Sequence, residues 1–282
     1  MKYLIVANWK MNPTSQKEAK SLFNKIKRGI KNVKSVEVVI CPPFVYLPTS
    51  KGLTLGAQNV FYKALVVEQT AVVERSSLHG NGSLRGKKNG AYTGEISPAM
   101  LKNLGVKYVI IGHSERRMHF GETNEIINKK LKIVLQYGLK PIFCVGEKEG
   151  EDKNLVITKQ IKEGLKEISN FKFSRLNRGS STKSGQISNL IIAYEPVWAI
   201  GTGTADTPDH ALSGALLIRK IIAGLYGLDW SSDLPVLYGG SVTAENAGEY
   251  INQSGINGAL VGGASLELEN FLKIIKSAET NG

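Results

Sequence analysis

Eight short apolar segments recur along the chain, and most of them are separated by longer stretches in which apolar residues return every three or four positions. The short segments have no polar face, which is typical of parallel strands that are buried on both sides. These predicted strands span residues 3–7, 36–40, 53–57, 108–111, 141–145, 190–194, 235–238 and 259–261. The longer, amphipathic stretches are predicted to be helices and span residues 15–30, 98–104, 125–137, 154–168, 208–226, 245–254 and 266–277.

The alternation of strands with helices indicates an α/β fold with a parallel sheet. Eight strands are the number that closes a (β/α)8 barrel, and a chain of 282 residues is long enough for one such domain of about 250 residues. Length alone also allows two domains. An open, doubly wound sheet is the alternative arrangement of the same elements.

Polar residues and glycines follow the predicted strands where these end. In a β/α barrel the loops at those ends carry the active site, so these residues are the first candidates for chemistry. They are Asn8 and Lys10 after the first strand, His113, Ser114 and Glu115 after the fourth, Glu195 after the sixth, Gly239, Gly240 and Ser241 after the seventh, and Gly262 and Gly263 after the eighth. No P-loop and no dinucleotide-binding fingerprint follows the first strand.

His113 and Glu195 have the residue types that proton transfer needs. Residues 114–117 after His113 are polar and predict the first turn of a helix. The positive end of the helix dipole disfavours an imidazolium there, so a neutral imidazole can donate to a substrate oxygen. Glu195 leaves an apolar strand, where partial desolvation suits a carboxylate for general-base work. A packed structural histidine and a structural ion pair are the alternative interpretations of these two residues.

The segments that flank these candidates suggest a lid and an anion site. Residues 197–205 run from an apolar stretch after Pro196 into small residues, which is typical of a loop that closes on hinges. Glycine pairs after the last two predicted strands expose backbone N–H groups of the kind that bind phosphate, although tight turns explain them equally well. Lys10 can supply positive charge to an anionic substrate, unless it is one more exposed lysine.

The net charge of +12 comes from 36 Lys and Arg against 24 Asp and Glu. Residues 1–34 contain nine basic and one acidic residue, and residues 169–189 contain four basic residues and no acid, so these two segments account for the whole excess. We interpret the first as the solvated face of a helix. Nucleic-acid binding is the alternative, but no zinc-finger spacing or RNA-recognition motif supports it.

Two further features of composition limit the class of protein. The only cysteines, Cys41 and Cys144, are far apart in sequence, which argues against a disulfide framework or a multi-cysteine metal site and fits a reducing compartment. The apolar run at the N-terminus has five residues, too few for a signal peptide or a membrane span. We therefore expect a cytoplasmic protein without a membrane partner.

Six motifs of the chain closely resemble those of the triosephosphate isomerase family. They are residues 7–12 (ANWKMN), 56–59 (GAQN), 112–117 (GHSERR), 193–203 (AYEPVWAIGTG), 238–242 (YGGSV) and 260–265 (LVGGAS). The resemblance implies a single TIM barrel and the interconversion of dihydroxyacetone phosphate and glyceraldehyde 3-phosphate through an enediolate. It also implies a place in glycolysis and gluconeogenesis, a homodimer, and no metal or organic cofactor.

The same resemblance implies a role for individual residues. Glu195 would move a proton between two carbons, while neutral His113 would polarise the carbonyl; Lys10 and Asn8 would bind the substrate and stabilise the enediolate. Other matching positions are Gly201, Ser241, Gly262 and Gly263 for the phosphate, Ser114, Glu115, Cys144 and Tyr238 as supporting residues, and Thr93, Gly94 and Glu95 for contact with a second subunit.

Three departures from the family pattern modify this expectation. Residues 64–87 are an insertion in the loop after the third strand, and residues 173–188 contain an addition with the composition of a surface loop. Conversely, the short, proline-containing stretch between the second and third strands predicts a second helix reduced to one turn or missing. A barrel that has lost catalysis and serves as a binding or scaffold protein is the second functional hypothesis.

Overall fold

The computed structural model describes residues 2–50, 52–63, 89–168, 189–200 and 206–279. Its eight strands form one closed parallel barrel in the order β1 to β8, with β8 pairing back onto β1. The strands are β1 (Tyr3–Asn8), β2 (Val36–Cys41), β3 (Thr54–Ala57), β4 (Val106–Ile111), β5 (Lys140–Val145), β6 (Ile191–Tyr194), β7 (Val236–Tyr238) and β8 (Gly258–Val261). The predicted (β/α)8 TIM barrel is confirmed, and the doubly wound alternative is wrong because the sheet closes.

Alternate residues of the strands face two different hydrophobic layers. The residues that point into the barrel are Leu4, Val6, Val39, Cys41, Tyr108, Ile110, Ile142, Cys144, Ile191, Ala193, Leu237 and Leu260. Their neighbours along each strand pack outwards against the helices in a larger layer. Because both faces are buried, a polar side chain finds water only where a strand ends. This explains the unbroken apolar runs in the sequence.

Nine α-helices surround the barrel in the described part of the chain. They are α1 (Gln16–Gly29), α2 (Pro98–Asn103), α3 (Ser114–Phe120), α4 (Asn124–Gln136), α5 (Lys153–Gly164), α6 (Pro208–Tyr226), α7 (Leu228–Asp233), α8 (Ala247–Ile251) and α9 (Leu268–Glu279). Short polar side chains cap several N-termini. Ser15 accepts the Glu18 N–H, Thr123 accepts the Ile126 N–H, and both thereby satisfy donors that have no partner inside the helix.

Helix α1 carries much of the positive charge of the N-terminal segment. Its buried residues Ala19, Phe23 and Ile26 face the core, while Lys17, Lys20 and the other basic residues of the helix are exposed. This is the arrangement expected of an amphipathic helix with a solvated basic face.

Only a 3₁₀ turn, Phe44–Thr49, lies among the described residues between β2 and β3. Pro48 falls inside this turn, where its missing N–H and its ring obstruct an α-helix. The predicted reduction of the second helix is therefore confirmed. The insertion at 64–87 and the addition at 173–188 fall outside the described residues.

Within the described ranges, none of the helices combines the length and the apolar composition needed to cross a membrane.

Truncation of Phe271 in α9 tests the outer hydrophobic layer, because this side chain is fully buried between the helix and the barrel. We expect Phe271→Ala to lower the free energy of unfolding by about 3–5 kcal/mol, since it leaves a cavity. The control, Leu155→Ala, removes a side chain that is 71 % exposed and should change it by less than about 0.5 kcal/mol. If denaturant titrations show the same loss in the free energy of unfolding for both variants, the burial of Phe271 in the outer layer is contradicted.

Candidate active site

The ends of β4 and β6 bring His113 and Glu195 together. Nε2 of His113 lies 3.4 Å from Oε1 of Glu195, whose side chain is only 2 % exposed. The other oxygen, Oε2, accepts the backbone N–H of Ser114 at 3.0 Å. Oε1 is buried and has no hydrogen-bond partner in the described part of the chain. A buried carboxylate oxygen whose lone pairs are not engaged in hydrogen bonds is suited to take a proton from a bound molecule.

His113 is the N-cap of α3, as the polar residues after it predicted. Its Nδ1 accepts the backbone N–H of Glu115 at 3.3 Å, a contact that requires Nδ1 to carry no proton. The neutral ring then has its proton on Nε2, the nitrogen that faces Glu195. The carboxylate of Glu115 lies farther away, 3.7 Å from Nδ1, and does not replace the backbone contact.

Lys10 approaches the same cluster from the end of β1. Its Nζ lies 2.7 Å from Oε1 of Glu115, and both side chains are about one-third exposed. Its backbone N–H donates to Oδ1 of Asn8, which is itself buried, at 3.1 Å. Lys10, Asn8, His113 and Glu195, which the sequence predicted as candidates from three separate strand ends, are thus placed around one barrel mouth.

Glycines at the ends of β7 and β8 allow close approach of neighbouring groups. A Cβ at Gly239 would lie 2.9 Å from Cγ of Glu195, and one at Gly262 would lie 3.3 Å from Cε of Lys10. A Cβ at Gly263 would meet nothing within 4 Å, so space remains open there. Ser241 is partly buried just beyond β7. Gly201 lies outside the described residues.

Glu147, a polar residue just beyond β5, forms a buried network although no sequence pattern assigned it a role. Its Oε1 accepts the hydroxyl of Tyr194 at 2.9 Å and the indole N–H of Trp198 at 3.3 Å. Burial, and next the charge of Glu147, raise the pKa of the Tyr194 hydroxyl far above its usual range, so it stays protonated and donates. The network anchors the beginning of the predicted lid, whose residues 201–205 are not among those described.

A second polar contact, between Asp206 and His210, lies directly after residues 201–205 in the chain. Nδ1 of His210 lies 2.9 Å from the buried Asp206 carboxylate, and the imidazole meets the Trp198 ring edge-on with centroids 5.6 Å apart. Tyr250 donates to the Asp206 carbonyl and stacks on Tyr238.

Arg117 is a further residue whose placement was not foreseen. Its guanidinium donates to the Gly112 carbonyl at 2.8 Å and to the Cys144 carbonyl at 3.2 Å, which ties the end of β4 to the end of β5. Burial lowers the pKa of the guanidinium from its usual value. The only sequence signal was its position in the motif after His113.

Thr93, Gly94 and Glu95 lie at an exposed turn ahead of α2. Gly94 has φ of +89°, a conformation that few residues other than glycine adopt. Tyr92, beside them, packs against Phe61 with ring centroids 4.6 Å apart. The predicted contact residues therefore lie on the surface of the single chain.

The residues that the structure describes contain no group of three or more His, Cys, Asp or Glu side chains that could hold a metal ion.

Both cysteines are inaccessible inside the barrel. Burial raises the pKa of Cys41 and of Cys144, and the neighbouring Glu195 raises that of Cys144 further. We expect neither thiol of the folded protein to react with a disulfide reagent at mildly alkaline pH, because the thiolate is the reactive form. Both should react in guanidinium chloride, and the exposed thiol of a Leu155→Cys control should react at once. Rapid labelling of Cys144 in the folded protein would contradict its burial.

Comparisons with known proteins identify the family to which this chain belongs. The sequence profile of the family described as triosephosphate isomerase matches residues 3–278. The chain is 43 % identical over 284 residues to a triosephosphate isomerase of Dictyoglomus thermophilum, covering 97 % of this chain and 98 % of the relative. It is 42 % identical to those of Dehalococcoides mccartyi, with 99 % and 97 % covered, and Carboxydothermus hydrogenoformans, with 98 % and 99 % covered. The chain belongs to the triosephosphate isomerase family.

Proposed function

We propose that this protein interconverts dihydroxyacetone phosphate and D-glyceraldehyde 3-phosphate. The observation that carries the proposal is the pair of Glu195 Oε1 and His113 Nε2, 3.4 Å apart at the mouth of the barrel. One is a buried carboxylate oxygen without a hydrogen-bond partner among the described residues, and the other is a nitrogen that bears a proton in the neutral ring. The reaction needs one group to move a carbon-bound proton and another to polarise the neighbouring carbonyl.

In the proposed reaction, Glu195 takes the proton from C1 of the ketose, and the electron pair of that bond moves to form the enediolate. His113 donates a hydrogen bond from Nε2 to the carbonyl oxygen, where the negative charge develops, and shuttles protons between the two oxygens. Glu195 then returns its proton to C2, which yields the aldose. A carboxylate base that acts beside a neutral histidine is the established mechanism of this family.

Lys10 and Asn8 bind the substrate and stabilise the enediolate in this proposal. The Lys10 ammonium adds positive charge beside the developing oxyanion, an effect that is strongest where water is excluded. Backbone N–H groups near Gly201, Ser241, Gly262 and Gly263 hold the phosphate dianion. The proposed chemistry moves protons only and assigns no metal or organic cofactor.

A lid of residues 197–205 completes the proposed mechanism. Excluding water would protect the enediolate from losing its phosphate. The contact of Trp198 with Glu147 supports this part of the proposal, because it anchors the apolar start of the segment beside Glu195. The supporting residues around the cluster in this proposal are Ser114, Glu115, Cys144 and Tyr238.

Glu195→Gln removes the proposed base while keeping the size of the side chain. We expect kcat to fall by about 10²–10⁴-fold in a coupled assay with glyceraldehyde 3-phosphate. The matched control, Glu125→Gln, alters a carboxylate that is 76 % exposed on α4 and should leave kcat unchanged. If the unaltered protein turns over no faster than Glu195→Gln, the scaffold hypothesis is favoured instead.

We propose that the protein acts as a homodimer in the cytoplasm, within glycolysis and gluconeogenesis. Support for the dimer comes from apolar side chains near the β1 and β2 ends that lie in water in the single chain, with Met11 91 % and Val45 73 % exposed. Thr93, Gly94 and Glu95 would supply the part that reaches the second subunit. Neither a membrane nor a specific nucleic acid is a partner in this proposal.

The insertion at 64–87 is proposed to enlarge or alter the dimer contact, because it precedes the turn at Thr93–Glu95. Deleting residues 64–87 should then raise the dimer dissociation constant by about tenfold or more, equivalent to about 1.4 kcal/mol. Sedimentation equilibrium measures this constant directly. An unchanged value would refute a role for the insertion in the interface. A matched deletion of 173–188 should leave the constant unaltered.

A further inference from the structure

We propose that Gln58 is a positioning residue for the reaction, and that it acts by holding the backbone of Lys10 in a left-handed conformation. The inference rests on the proposed function, in which the Lys10 ammonium faces the anionic substrate. Gln58 would not touch the substrate itself. Its carboxamide would instead determine where the ammonium lies.

Lys10 has a backbone conformation that its residue type disfavours. Its φ is +52°, and among the described residues only Glu167 shares a positive φ without being glycine. A side chain at such a position costs free energy because Cβ crowds the carbonyl oxygen. Residues of this kind persist only where surrounding contacts determine the backbone from several sides. The contacts that retain Lys10 are therefore informative about function.

Two side chains from different strand ends hold the two polar groups of the Lys10 backbone. Asn8 accepts the Lys10 N–H through Oδ1 at 3.1 Å, and Gln58 donates from Nε2 to the Lys10 carbonyl at 2.8 Å. Asn8 is already part of the proposed substrate site. Gln58, directly after β3, is the residue with no role so far.

The same Gln58 nitrogen also donates to the carbonyl of Cys41, the last residue of β2, at 2.9 Å. That carbonyl accepts the Trp9 N–H as well, at 3.1 Å. One carboxamide thus joins the chain after β1 to the end of β2 while anchored at the end of β3. Both hydrogens of the NH₂ group are used, so the group is fixed in rotation as well as in position.

A fixed backbone is needed because, among the described residues, the polar contact that the Lys10 side chain makes is at its far end. Its Cε passes close to Gly262, where a Cβ would lie 3.3 Å away, and its Nζ meets Glu115 at 2.7 Å. A shift of the backbone to an ordinary negative φ would swing this side chain away from both. A misplacement of about 1 Å in an active site can lower the rate about 100-fold.

Side chains of similar size cannot replace Gln58 as the donor to both carbonyl groups. Glutamate has the same length, but its carboxylate only accepts hydrogen bonds and would face two carbonyl oxygens. Methionine matches the shape and removes both donors without adding charge. Gln58→Met therefore tests the loss of the two donors alone. Gln58→Glu also places a negative charge against the two carbonyl oxygens and should have the larger effect.

Asn128 provides a matched control. Its Nδ2 also donates to two backbone carbonyls, those of Gly164 at 2.8 Å and Lys166 at 2.9 Å, but Asn128 belongs to α4 and these bonds reach the end of α5. Asn128→Leu removes an equivalent pair of hydrogen bonds outside the proposed site. It should lower the melting temperature about as much as Gln58→Met and leave turnover unchanged.

The first measurement is kcat/KM with glyceraldehyde 3-phosphate for Gln58→Met, Gln58→Glu and Asn128→Leu. We expect Gln58→Met to lose about 10- to 100-fold and Gln58→Glu to lose more, while the Asn128 variant keeps its activity. Should Gln58→Glu fail to fold, Gln58→Met decides the outcome. Full activity of folded Gln58→Met, or an equal loss in Asn128→Leu, overturns the proposal.

The second measurement is the affinity for inorganic phosphate by phosphorus-31 NMR titration, which needs no turnover. Gln58→Met should weaken binding about 5- to 10-fold in the unaltered background and have no effect when Lys10→Met has removed the ammonium, because contacting residues are not additive. The same loss in both backgrounds overturns the proposal, since Gln58 would then not act through Lys10. Absence of turnover in the unaltered protein refutes the proposed function instead, and this titration still tests Gln58.

Discussion

Closure of eight parallel strands is the constraint on which the rest of this structure depends. Closure satisfies the backbone hydrogen bonds of the sheet without leaving an edge, and it buries both faces of every strand. Charged side chains are then confined to the strand ends. Because all strands run in the same direction, one rim collects the ends of β1, β4, β6, β7 and β8. The catalytic proposal follows from this crowding at a single rim.

At that rim, hydrogen bonds that involve backbone groups orient the candidate residues. Glu195 is oriented by the N–H of Ser114, His113 by the N–H of Glu115, and the Gly112 carbonyl before His113 by the guanidinium of Arg117. Such contacts are costly to break because the groups are buried and have few alternative partners. The site is therefore as rigid as the barrel that carries it, which is the condition for electrostatic preorganisation.

Much of the fold was predictable because burial of the strands leaves a strong pattern, and all eight predicted strands occur within about two residues of their observed bounds. Of α3 only the first turn was predicted, and α7 was not predicted at all, because six or seven residues are too few to show a period. His113 and Glu195 were predictable from their residue types at strand ends. Glu147, Arg117 and Gln58 act through partners 17 to 51 positions away, and no local pattern records such contacts.

The short link between β2 and β3 has a consequence for the order in which the barrel assembles. The paired residues Val39 and Thr54 are 15 positions apart, whereas Leu55 and Val106, across the next seam, are 51 positions apart. Closing the longer loop costs about 1 kcal/mol more in chain entropy. The short link between β2 and β3 therefore favours early pairing of these two strands. The longer link between β3 and β4 makes their pairing a later step of folding.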